Sequence, residues 1–161
     1  MQKIVPCLWF NGNAEEAVHF YTSVFKNSKI GRVSHYTEDV GPMPKGAVLT
    51  IAFQLEGLDY LALNGGPDFK FTEALSLMIG CQTQGEIDTL WKKLTDGGGE
   101  PGQCGWLKDK FGVSWQIVPA MLDEWVSDED PARAERVMHA LMPMTKLDLG
   151  ALRQAANAAT S

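Results

Sequence analysis

The chain has 161 residues, 45% of them hydrophobic and 21% charged, with 20 acidic against 14 basic side chains and a formal net charge of −6. That is the length of a single globular domain, and a negative balance without a Lys/Arg run leaves no electrostatic footprint for nucleic acid or an anionic membrane surface. Apolar runs such as Ile51–Phe53 and Leu61–Leu63 fall far short of the ~18 residues that span a bilayer, so the expected location is the cytoplasm. Cys7, Cys81 and Cys104 form no Cys-x-x-Cys pair and are expected as reduced, mostly buried small apolar side chains. His19, His35 and His139 make no spaced metal motif.

In chain order, the apolar run Ile4–Phe10 predicts a buried strand. Asn13 followed by Glu16 has the pattern of a capping box, and Ala17, Phe20, Tyr21 and Val24 give the stripe of a helix packed on one side. Three strands are then predicted: 29–37, 47–56 after the Gly/Pro-rich segment 41–46, and 58–64. Glu56-Gly57 supplies hairpin turn chemistry between the last two.

The pattern repeats 70 residues on. The run 74–80 matches the first strand, and Thr83 and Glu86 repeat the capping pair. Ile87, Leu90, Trp91 and Leu94 repeat the helical stripe. Gly97-Gly98-Gly99 follows this helix, where a phosphate-cradling loop would precede one, so it is a helix end and turn. Strands at 103–108 and 113–118 flank the turn at 110–112. The chain is thus α+β, two βαβββ modules (1–66 and 71–119) in one domain, 1–119. A helical tail, 120–161, holds helices from Asp130-Pro131 to Leu141 and from Leu147 to about Ala158, and packs on the domain or on a partner copy.

A four-stranded sheet with a helix on one face leaves the other bare, so two modules are expected to join into a cup-shaped mixed sheet around a cavity. The 70-residue offset puts Pro6, Leu8 and Phe10 on the cavity face together with Ser76 and Met78. The late strands add Asn64 and Gln116. His35 is a candidate acid or base, and Trp106, Lys108 and Asp109 are candidates at the cavity mouth, where Lys108 would hold an anionic group.

The duplication, with 9–17 (WFNGNAEEA), 63–67 (LNGGP) and 104–119 (CGWLKDKFGVSWQIVP), resembles the vicinal oxygen chelate superfamily. Within it the chain is similar to PhnB-like proteins, related to glyoxalase and bleomycin resistance proteins and often labelled 3-demethylubiquinone-9 3-methyltransferase. The resemblance implies a divalent metal held by His, Glu or Gln on the first and a late strand of each module. Here those positions read Pro6, Ser76, Ala62 or Asn64, and Gln116, of which only Gln116, with Asn64 as a weaker candidate, carries a useful donor, so no metal and no cofactor is expected.

Two functions follow. One is a metal-independent protein that binds a small hydrophobic or aromatic molecule through Phe10, His35, Asn64, Ser76, Met78, Trp106, Lys108 and Gln116. The alternative is a glyoxalase- or dioxygenase-like enzyme acting on a small carbonyl or aromatic substrate. The Gly-rich turn of an S-adenosylmethionine site is missing, so the methyltransferase label has no support in the residues. The resemblance and the apolar stripes of the tail (Ala134, Val137, Met138, Leu141; Leu147, Leu149, Leu152) lead to a homodimer as the expected assembly.

Overall fold

A computed structural model describes residues 2–158 of the chain; residue 1 and residues 159–161, the outer ends of the expected domain and tail, lie outside the described residues. The chain divides into two compact units, with the boundary in sequence between Phe71 and Thr72. The first contains β1 (Cys7–Phe10), α1 (Ala14–Val24), β2 (Ser28–His35), β3 (Val48–Leu55) and β4 (Leu58–Asn64). The second contains β5 (Ser76–Cys81), α2 (Gln84–Thr95), β6 (Glu100–Pro101), β7 (Trp106–Lys108) and β8 (Ser114–Pro119). It continues into α3 (Leu122–Val126), α4 (Pro131–Leu141) and α5 (Leu149–Asn157). Each unit has its own four-stranded sheet, ordered β1-β4-β3-β2 in one and β5-β8-β7-β6 in the other. The pairs β1·β4 and β5·β8 are parallel and the remainder antiparallel. The α+β architecture of two βαβββ modules with a helical tail is therefore present.

In the first unit α1 covers one sheet face. Its buried Ala14, Ala17, Val18, Tyr21 and Val24 meet Ile51 and Phe53 of β3, Ala62 of β4 and Leu8 of β1, with the Tyr21 ring stacked on Phe53 at 6.4 Å. Val18 takes the central place expected for Phe20, which is only half-buried. The β3–β4 turn has both central residues in the left-handed region, Glu56 at φ 50° and Gly57 at φ 80°, as a tight hairpin following the strand twist requires. Gly65 leaves space for an aromatic ring: a Cβ there would lie 2.3 Å from the Trp9 indole, whose Nε1 donates to the Gly66 carbonyl at 2.9 Å.

The two helix starts are built differently. Thr83 caps α2 as expected, its Oγ1 accepting from Glu86 N at 3.2 Å while the Glu86 carboxylate accepts from Gln82 N at 2.9 Å. Asn13 gives α1 no side-chain cap. That task falls to Asn64, at the end of β4, whose Oδ1 accepts from Ala14 N at 2.9 Å and whose Nδ2 donates to Val48 O at 3.1 Å.

In the second unit Ile87, Leu90 and Leu94 of α2 lie over Leu107, Trp115 and Ile117. Asp109 fixes the β7–β8 hairpin: it is buried, its Oδ1 accepts from Phe111 N (2.9 Å) and Val113 N (3.1 Å), and its Oδ2 accepts from Trp115 Nε1 (2.8 Å). Asp109, expected at the cavity mouth, is instead the buried carboxylate around which the hairpin folds.

The tail rests on this same unit. Cys104 N and Gly105 N donate to Met144 O and Thr145 O, each at 2.8 Å. The Gln84 amide donates to Leu147 O at 3.0 Å and accepts from Leu149 N at 2.7 Å, and Lys146 pairs with Asp88 at 2.8 Å. Val137, Leu141, Leu147, Leu149 and Leu152 are buried within the chain, so most of the stripe that suggested a second copy is already covered. The cysteine expectation needs a similar correction. Only Cys81 is buried, its thiol pushed up to about 12 by desolvation and then by Glu86; Cys104 is half-buried and Cys7 exposed.

Two substitutions test this scaffold. Asn64→Ala leaves the buried first amide of α1 without its side-chain partner and removes the bond to the half-buried Val48 carbonyl, and is expected to cost about 1–3 kcal/mol, read as a lower urea midpoint at unchanged slope. Asp109→Ala removes three hydrogen bonds to a buried carboxylate and should cost about 2–4 kcal/mol; near-UV circular dichroism should report the loosened Trp115.

Candidate functional site

Alternation along the strands decides which side chains reach the helix-free faces. On β1 and β4 the residues facing α1 are Leu8, Phe10, Ala62 and Asn64, all buried, which leaves Cys7, Trp9, Leu61 and Leu63 for the other face. Phe10, which stands edge-on to Phe71 at 5.3 Å, and Asn64 are therefore scaffold residues of the helix side, contrary to the expectation that they line a cavity. The cause is a single residue. Three residues, 11–13, join β1 to α1, whereas two, 82–83, join β5 to α2. The helices therefore repeat at 70 residues and the first strands at 71, as Phe10 and Cys81 show, and a one-residue slip exchanges the faces of a strand.

In the second unit Ser76, Met78 and Gln116 share one face of the sheet, as strand alternation predicts. Cross-strand pairing sets Glu100, Lys108, Ser114 and Ser76 in one row over β6, β7, β8 and β5. A second row, two residues along, holds Trp106, Gln116 and Met78. Both rows lie on the face opposite to Trp115 and Ile117, which pack towards α2. Gln116 Nε2 donates to Ser76 Oγ at 2.9 Å, joining the rows. Met78 is 62% exposed, so it is surface and not core.

Beside these rows is a cavity of about 590 Å³, lined by Trp106, Lys108, Ser114, Glu73, Glu100 and Cys104 among others. Lys108 already has a carboxylate partner. Its Nζ is ion-paired with Glu73, which raises the lysine pKa and lowers that of the carboxyl, mainly through the direct hydrogen bond, and Glu100 adds a further negative charge. Ser114 Oγ is buried and has no hydrogen-bond partner among the described residues. Sequence reasoning missed Glu73, Glu100, Ser114 as an unpartnered group, and Cys104. Of these, Glu100 and Ser114 were open to discovery by pairing them across from Lys108, but Glu73 lies outside any strand and gives no signal. His35 is exposed on the edge strand β2, paired with Val48, in the other unit.

The donor set does not fit a divalent ion. With the repeat corrected, the first-unit equivalents of Ser76 and Gln116 are Val5 and Leu61, which have no donor atoms. Ser76 and Gln116 are neutral and hydrogen-bonded to each other, a poor set for a first-row metal. Among the described residues no three His, Cys, Asp or Glu side chains converge.

Comparison with known proteins agrees with this architecture. The family model of 3-demethylubiquinone-9 3-methyltransferase matches residues 2–118, so the tail from α3 onward lies beyond it. Among solved structures the chain is similar to the PhnB protein from Bacillus cereus, at 40% identity over 73% of this chain and 99% of that one, with a TM-score of 0.65. It is also similar to protein PA1353 from Pseudomonas aeruginosa, at 20% identity over 74% of this chain and 98% of that one, TM-score 0.60. The fosfomycin resistance protein FosX from Listeria monocytogenes, solved with Mn(II) and sulfate, shares the fold at 15% identity over 77% of this chain and 95% of that one, TM-score 0.53. No curated protein matches the chain. The chain belongs to the 3-demethylubiquinone-9 3-methyltransferase family, a PhnB-like group with the fold of the glyoxalase/bleomycin resistance superfamily.

Proposed function

We propose that the protein binds a small organic molecule on the helix-free face of its second unit and does so without a divalent metal. The observation that carries this reading is the Gln116–Ser76 hydrogen bond beside an open cavity. Two polar groups at the positions where the superfamily resemblance implies metal ligands satisfy each other, and they leave Gln116 Oε1 as an acceptor in the row of Met78 and Trp106, of which Trp106 reaches the cavity lining. Ser76, Met78, Trp106, Lys108 and Gln116 are the proposed binding residues, with a hydrophobic or aromatic molecule as the ligand class.

The alternative, a glyoxalase- or dioxygenase-like enzyme, needs a titrating group free to exchange a proton with substrate. Lys108 and Glu73 are committed to each other, which favours binding over turnover. The methyl transfer in the family's name is also poorly matched. An S-adenosylmethionine site of the doubly wound type needs an open parallel sheet and a Gly-rich turn, whereas each sheet here contains one parallel pair, and Asn64 occupies the N-terminus of α1. A cytoplasmic homodimer is proposed on the family resemblance; no helix of the described residues is long and apolar enough to cross a membrane.

The test starts with native mass spectrometry of protein purified from cell extract, to identify a retained molecule, which calorimetry then titrates into wild type and Gln116→Leu. A polar ligand should lose about 1–3 kcal/mol of affinity with little change in melting temperature. Equal affinities would remove Gln116 from the site.

A further inference from the structure

Resting on that reading of the face, we infer that the cavity selects an organic cation, an aromatic or alkyl ammonium, over the anion that a lysine at its mouth would suggest. The row Glu100–Lys108–Ser114 brings two carboxylates, counting Glu73, against one ammonium. Glu73 is bound to Lys108, so the lysine already has a counter-charge, and Glu100, across from Lys108 on β6, adds a second carboxylate and leaves the row net negative.

An incoming carboxylate or phosphate would have to displace Glu73 and then sit beside Glu100. An ammonium meets no such obstacle. It gains Glu100, the face of Trp106, which attracts cations through its ring quadrupole, and the buried Ser114 hydroxyl, whose oxygen has no partner and can accept an N–H. Ser114 is the second, independent sign of a ligand here. A buried hydroxyl left unpaired is costly, and a ligand donor reaching it removes that cost.

Three probes that share one ring and differ in head group test the proposal: benzylammonium, benzyl alcohol and benzoate, each titrated into the full chain and followed by the indole N–H resonance of Trp106 and by amide shifts at Ser114. Benzylammonium should bind tightest and benzoate weakest, with about a 1.5- to fivefold step for each change of charge, the effect of one exposed charge interaction. Added salt should shrink the steps. Glu100→Gln should bring benzylammonium down to the affinity of benzyl alcohol and leave benzyl alcohol unchanged. Glu73→Gln, which frees Lys108, should move the preference towards benzoate. Both residues are exposed, and thermal melts check that the variants fold. Benzyl alcohol binding equal to or tighter than benzylammonium, or benzoate preferred by wild type, overturns the cation preference and leaves the binding face standing. Failure of all three to perturb Trp106 or Ser114 overturns the binding face as well.

Discussion

Each sheet of this protein is covered by a helix on one face only, and everything the molecule presents to a ligand follows from that constraint. A strand's side chains alternate, so once α2 claims Ile117, Trp115 and Leu107 for its core, Gln116, Ser114, Trp106 and Lys108 have no choice but the other face. The core residues thus position the polar rows. In the first unit the same rule, applied to α1, takes Phe10 and Asn64 inward and leaves Trp9 and Leu63 outward.

The rows are useful only if the hairpin that pairs them is rigid. Asp109 supplies that rigidity from within the turn, since its carboxylate ties three donors together and holds Lys108 directly across from Ser114. The tail supports the other end of β7. Its backbone carbonyls at Met144 and Thr145 accept from Cys104 and Gly105, next to the cavity wall, and Gln84 and Asp88 of α2 anchor it from the side. Because the family match ends at residue 118, this support is an addition outside the matched domain.

Most of the element order was legible in the sequence because helical stripes, the Glu56-Gly57 turn and the caps at Thr83 and Asp130 are local signals, whereas the two-residue β6 and the five-residue α3 are too short to leave one, and the Asp148 cap places the start of α5 two residues after the expected Leu147. The shared face of Ser76 and Gln116 in the second unit was legible for the same reason, since alternation needs only the strand itself. Placement failed where it depended on counting across a connection. The extra residue between Phe10 and Ala14 shifts the first strand against its helix, so an offset read from the helices gave Phe10 and Asn64 the wrong face. Pairings across the chain, such as Lys108 with Glu73, leave no local trace, and a lysine that looks unpartnered in sequence turns out to be ion-paired.

The central claim is that an amide and a hydroxyl stand where the superfamily resemblance implies metal ligands, so that binding here depends on shape and hydrogen bonds. Thermal melting in the presence of a chelator, then with Mn(II), Ni(II) or Zn(II) restored in excess, tests this most directly, because an ion bound to the folded state alone must raise the melting temperature. The account predicts superimposable melts under all conditions. A fall of several degrees with chelator that any one of these ions reverses, lost again in Gln116→Leu, would contradict it.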